Sequence, residues 1–195
     1  MSAYATGKMW LERLYEKADR HDRADGCKAY LRYHDLLGQI AAHYDAYFES
    51  TVAAFCALSP NNDYVGNLRS LVSMLTAKDC VYMNATVSTY RHCQRRAANY
   101  LDGLPFLSDA KGPKIRAFYQ NIIDPTDWDP VTIDGHMVAA WKNEDLVMKE
   151  ALVGAREYRV IADAVRELAH ERMMLPNQMQ ATLWFARKRI KRVRY

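Results

Sequence analysis

Between Thr51 and Leu58 the chain reads TVAAFCAL, eight residues with no charge and one hydroxyl. A helix that is apolar on all sides has no face for water, so this segment must lie at the centre of a core. Ser59-Pro60-Asn61-Asn62-Asp63 ends it, and Asn61, Asn62 or Asp63 can cap the helix that follows. The remaining segments must then enclose it, and their apolar residues recur at helical spacing. Met9, Trp10, Leu14 and Tyr15 mark a first amphipathic helix; Tyr30, Leu31, His34, Leu37, Ile40 and Ala41 mark a second, long one. Val65, Leu68, Leu71, Val72 and Leu75 stripe another, and a further helix is expected around Val87 to Leu101.

The connection LDGLPFLSDAKGP then leads to KIRAFYQNI, with Pro113 in the first turn, where its missing N–H costs nothing. Asp124 to Pro130 is a polar loop and Val131-Thr132-Ile133 a short extended run. A helix starts at Asp134, and two more cover Ala155 to Met173 and Pro176 to Arg192. The expectation is a single all-α domain over residues 1–195 with roughly seven to ten helices and no strand pair or internal repeat.

Half of the residues are hydrophobic, enough to build a sizeable core. No apolar run approaches the roughly 20 residues of a membrane span, and charges interrupt the opening MSAYATGKMWLERLYEK too often for a signal peptide. A cytoplasmic protein with no membrane partner is expected. Cys27, Cys56, Cys80 and Cys93 are scattered, without CxxC or zinc-finger spacing, and read as free thiols. No metal or organic cofactor is implied.

The net charge of +4 is unevenly placed. Arg187, Lys188, Arg189, Lys191, Arg192 and Arg194 crowd a basic tail, residues 186–195, without an acid among them. Arg91, His92, Arg95 and Arg96 form a second group. Clusters of this kind suit a polyanion, and equally a solvated helix face.

Four segments, in order, resemble landmarks of the helix-hairpin-helix DNA glycosylase superfamily, the endonuclease III-like group. TVAAFCALSPNNDYVGNL resembles its buried helix, Ser-containing turn and polar wedge. TYRHCQRRAANYL resembles its Tyr and Lys-Ala helix. AKGPKIRAFYQNI resembles the second half of the hairpin, and VTIDGHMVAAW its Val-Asp-Thr-His segment. Together they cover about residues 50 to 142. The hairpin itself is degenerate: where the family reads Leu-Pro-Gly-Val-Gly, this chain has Ser108-Asp109-Ala110-Lys111-Gly112, and the iron–sulfur cysteines are absent. The whole chain also resembles a set of small phage and actinobacterial proteins that share the Ser-Pro-Asn, Gly-x-Lys and Val-Thr-Ile-Asp elements and a Gln-Ala-x-x-Trp, here Gln180 to Trp184. This second resemblance implies no activity.

The first resemblance implies a DNA-base N-glycosylase acting on a flipped, damaged or modified base. Asp134 would be the carboxylate that stabilises the sugar cation or orients water; the same residue is a favoured N-cap. Lys114 stands where lyase-competent members place their amine, which would add AP-lyase activity; it is equally a surface lysine for phosphate. The resemblance also implies that the two line one pocket. Gly112, Lys111 and Arg116 would meet the DNA backbone, and Asn61 or Asn62 would fill the gap left by the flipped base, unless they only cap a helix. His136, Arg95, Arg96, Arg187, Lys188 and Arg189 complete the expected DNA contacts. Tyr64, Tyr90 and Tyr119 could stack on a base or belong to the core, and Trp141 and Trp184 read as core. Two other functions stay open: hypermodification of a DNA base on the same scaffold, and non-catalytic DNA binding. The partner is DNA, double- or single-stranded, and a monomer is expected.

Overall fold

A computed structural model describes residues 2–60, 62–77, 82–110, 112–145 and 153–192. Among these residues all regular structure is helical: ten α-helices, a 3-10 turn at Tyr82–Asn84 and no strand. The helices are α1 (Ala3–Glu16), α2 (Arg20–His43), α3 (Phe48–Leu58), α4 (Tyr64–Thr76), α5 (Arg91–Leu101), α6 (Phe106–Asp109), α7 (Pro113–Ile123), α8 (Gly135–Lys142), α9 (Ala155–Glu171) and α10 (Pro176–Ile190). None is long and apolar enough to cross a membrane.

The tertiary contacts group the chain into two compact units. Unit 1 is Met1–Arg32 with Asp124–Arg194, and unit 2 includes Tyr33–Ile123. The boundaries fall inside α2 and after α7, so residues 50–142 contribute to both units. Apolar periodicity reports that a helix face is buried, not which neighbour buries it.

Unit 2 is built around α3, in which every residue from Thr51 to Leu58 is buried. It packs most extensively against α5 and also contacts α4 and α7. An enclosed helix end must have its carbonyls satisfied from outside. Asn67 of α4 donates to the Phe55 carbonyl (3.1 Å), Ser59 Oγ to that of Cys56 (2.8 Å), and Asn62 Nδ2 to that of Leu58 (3.3 Å). Asp63, of the three candidates, caps α4 through a bond from the Gly66 N–H (2.6 Å).

The helix expected from Val87 starts only at Arg91. The preceding residues are captured by α4 and its entry loop: Ser70 Oγ accepts from the Ser88 N–H (3.0 Å), Ser88 Oγ donates to Asn62 Oδ1 (2.8 Å), and Thr89 Oγ1 donates to the Pro60 carbonyl (2.6 Å). Within the Gly/Pro connection Phe106 nucleates the short α6, stacking on Tyr119 at 4.3 Å between ring centroids. Pro113 opens α7 as expected. Of the cysteines, Cys56 and Cys93 are buried free thiols and Cys27 is exposed; Cys80 lies outside the described residues.

In unit 1 the core gathers Leu11 and Tyr15 of α1, Val131 and Ile133, Met137 and Trp141 of α8, Ile161, Val165 and Leu168 of α9, and Met179 and Leu183 of α10. The start of α2 meets α10 at Gly26, where a Cβ would stand 2.1 Å from Thr182 Oγ1 and 2.6 Å from its Cα. Only glycine fits against that backbone.

If α3 is the centre of unit 2, Phe55→Ala leaves a cavity that its enclosed position cannot collapse. A loss of about 3–5 kcal/mol is expected in chemical denaturation.

Candidate functional site

Asp134 is half-buried at the N-cap of α8, in extended backbone (φ −99°, ψ −178°). Its Oδ1 accepts the Met137 N–H at 3.0 Å, one of the orphan donors of the helix start. Its Oδ2 accepts the indole Nε1–H of Trp184, from α10, at 2.9 Å. The N-cap role and a tertiary hydrogen bond therefore coexist, and together they hold the carboxylate in one orientation.

The approach to Asp134 is fixed from a third direction. The Tyr158 hydroxyl, on α9, donates to the Val131 carbonyl (2.7 Å) and accepts the Ile133 N–H (3.2 Å). One side chain thus satisfies backbone groups of a buried run that belongs to no helix or strand. Burial pushes the Tyr158 phenol from 10.0 to about 12; the Ile133 bond and Arg166 act the other way, and Asp134 adds to the rise.

Around this carboxylate stand three more of the expected residues. The His136 ring lies edge-on to Trp184 (6.1 Å, 88°), and Lys188 Nζ sits 4.2 Å from the Trp184 ring centroid, a cation–π contact one helical turn along α10. Arg187 is buried; burial pulls its guanidinium below the ordinary value, opposed by Asp145 and Asp134. It donates to the Glu144 carbonyl (2.6 Å), just past the end of α8.

Other cations of the tail also engage unit 1. Arg189 donates to Asp22 (2.7 and 2.9 Å) and to the Lys17 carbonyl (2.7 Å), and pairs with Asp19 (3.1 Å). Lys191 pairs with Asp145 at 2.7 Å. A phosphate would compete with these partners, so the basic run acts first as a clasp on its own fold. Arg194 lies outside the described residues.

In unit 2, Lys114 is exposed in the first turn of α7. Burial raises the Cys56 thiol strongly, and Lys114 acts on it in the opposite sense. Gly112 is exposed, and a Cβ there would meet only Ile115 Cγ2 at 3.8 Å, so packing does not demand a glycine. Arg116 points back into the connection, donating to the carbonyls of Leu107 (2.8 Å) and Ala110 (3.2 Å), and so shapes the turn rather than extending from it. Asn62 is tied to Leu58 and Ser88, as described above. Arg95 and Arg96 are exposed on α5. Lys111 and Asn61 lie outside the described residues.

Sequence reasoning missed Trp184 and Tyr158. The signal for Trp184 was present, because the Gln180–Trp184 element supplies the indole that reaches Asp134. Nothing local marks Tyr158, which is one core aromatic among many.

Tyr158→Phe strands a buried N–H and a buried C=O, so a loss of about 1–3 kcal/mol is expected. A phenol raised in the folded state contributes stability that is full below 10.0 and is lost as pH climbs towards about 12, because the unfolded chain ionises first. Denaturation at stepped pH should therefore show the stability gap between the original protein and Tyr158→Phe narrowing across that alkaline window.

No curated protein and no solved structure matches this chain significantly. A family model described as "Family of unknown function (DUF7178)" matches residues 6–192, nearly the whole length, and the chain belongs to that family.

Proposed function

We propose that this protein is a DNA-base N-glycosylase on a helix-hairpin-helix type of scaffold with a degenerate hairpin. Asp134 is its catalytic carboxylate. The observation that carries the reading is the preorganised state of Asp134: half-buried and oriented by two N–H donors from separate elements, with acceptor capacity left on each oxygen. In this mechanism the bond between C1′ and the base nitrogen breaks, and its electron pair leaves with the base, which takes up a proton. The cation that develops on the sugar is stabilised by the carboxylate, and water adds at C1′ with its proton passing to Asp134. A fixed carboxylate needs no reorganisation as that charge appears.

The same two hydrogen bonds favour a second reading, a non-catalytic DNA-binding protein in which Asp134 only staples α8 to α10. Base hypermodification would share the carboxylate and differ in product.

Asp134→Asn separates these readings. Asn can still cap Met137, but its amide N–H₂ then faces the Trp184 N–H, donor against donor, so a stability loss of about 1–3 kcal/mol is expected. In single-turnover assays on DNA carrying a panel of modified bases, run where the variant is folded, the rate should fall on the order of a hundredfold or more. Mass analysis of released bases and remaining nucleosides distinguishes excision from modification. A folded Asp134→Asn variant with undiminished turnover ends the Asp134-centred account.

The lyase extension concerns Lys114 alone: its amine would condense with the C1′ aldehyde of an abasic site, losing water to give a Schiff base. Borohydride should trap the chain on DNA containing an abasic site, and Lys114→Ala should abolish trapping.

A further inference from the structure

Among the described residues ion pairing is unevenly distributed. Every salt bridge among the described residues joins two residues of unit 1. The cations of α5, in unit 2, have no such partner, and the helix RHCQRRAANYL contains no acid of its own. Its inward face carries Cys93, Gln94, Ala97, Ala98 and Tyr100, all buried. Gln94 Nε2 locks that face to the preceding turn by donating to the carbonyls of Tyr82 (3.1 Å) and Ala85 (2.8 Å). The opposite face therefore has a fixed orientation, and Arg91, His92, Arg95 and Arg96 are all exposed on it. Arg91 and Arg95 stand one helical turn apart.

An aromatic pair sits at the head of this face. Tyr90 is the N-cap of α5, but only its backbone serves the helix: its carbonyl accepts from Cys93 (2.9 Å) and Gln94 (3.1 Å), and its side chain makes no cap bond. Tyr90 is 52% exposed, and its ring lies 5.5 Å from that of His92, with only 9° between the planes. Two stacked rings on exposed residues, at the head of a helix that carries three exposed arginines, are not explained by the packing of unit 2.

We infer that this end of α5 binds single-stranded DNA, with an unpaired base stacked on the Tyr90–His92 pair and the phosphates following Arg91, Arg95 and Arg96. Aromatic platforms flanked by cations hold single strands because every base offers a π-face, whereas the base faces of a duplex are covered by their neighbours. An acidic peptide would use the charges alone. The inference rests on the nucleic-acid part of the proposed function and specifies the strandedness of the substrate.

The test is fluorescence anisotropy of the full chain with labelled oligothymidine, a duplex of equal length and oligouridine, across a salt series. Oligothymidine should bind most tightly. Tyr90→Ala should weaken it roughly five- to a hundredfold, the range expected for one stacked base, with helical circular dichroism and salt slope unchanged. Tyr90→Trp should retain binding. Arg95→Ala and Arg96→Ala should each lower the log–log salt slope by about 0.7. Unaltered binding by Tyr90→Ala overturns the inference, as does preference for duplex or for oligouridine. Equal displacement by polyglutamate would reduce the surface to a general polyanion site and overturn it too. The two proposals fail separately. Tyr90-dependent binding without release of any base sinks only the glycosylase. Base release that is indifferent to Tyr90→Ala, with binding unaltered, sinks only the single-strand site.

Discussion

A helix normally keeps one stripe for the core and the rest for water, but α3 has no stripe to spare. Enclosing it removes water from the helix end as well as from its side chains, so its last carbonyls must find protein donors. Asn67, Ser59 and Asn62 supply them, and the bonds of Asn62 and Asn67 fix the chain on the far side of the Ser-Pro break. Asn62 in turn accepts from Ser88, which holds the segment leading into α5. The exposed basic face of α5 is thus a consequence of how completely α3 is buried.

Unit 1 solves a different problem, that of presenting a carboxylate from an irregular segment. Val131–Ile133 has backbone groups that neither helix nor sheet satisfies, and the Tyr158 hydroxyl answers two of them. The chain then turns into α8, whose first free N–H groups require an acceptor. Asp134 meets that requirement and, on its other oxygen, the indole of Trp184. Stability and site geometry use the same bonds here, so a change at Asp134 tests both unless folding and turnover are measured apart.

Charge composition would place the main basic surface at the C-terminal run, but the tertiary contacts use those cations differently. Arg187 covers the end of α8, Arg189 binds the acids at the start of α2, and Lys191 pairs with Asp145. A guanidinium already held by a carboxylate or carbonyl gives up that bond to bind phosphate. The shorter basic group on α5, with no acid on its own helix, is the more available one.

What could be read from the sequence depended on local physics. The break at Pro60, the helix start at Pro113 and the cap at Asp134 follow from residues within one turn of each feature, so the helical class and many boundaries were legible, while the cap of α4 was narrowed only to Asn61, Asn62 or Asp63. The start of α5 was not, because Ser88 and Thr89 are held by Ser70, Asn62 and Pro60, far away in the chain. The division into two units was not legible either, since periodicity names the buried face and leaves its partner unspecified. Asp134 could be picked out from its own neighbourhood, but its partner Trp184 lies 50 residues on and looked like core. The sequence by itself determined the helical class, the principal helices and the position of the carboxylate at a helix start. Only the tertiary structure decided which side chains orient it and which cations remain for a polyanion, because those depend on contacts between residues that the chain keeps far apart.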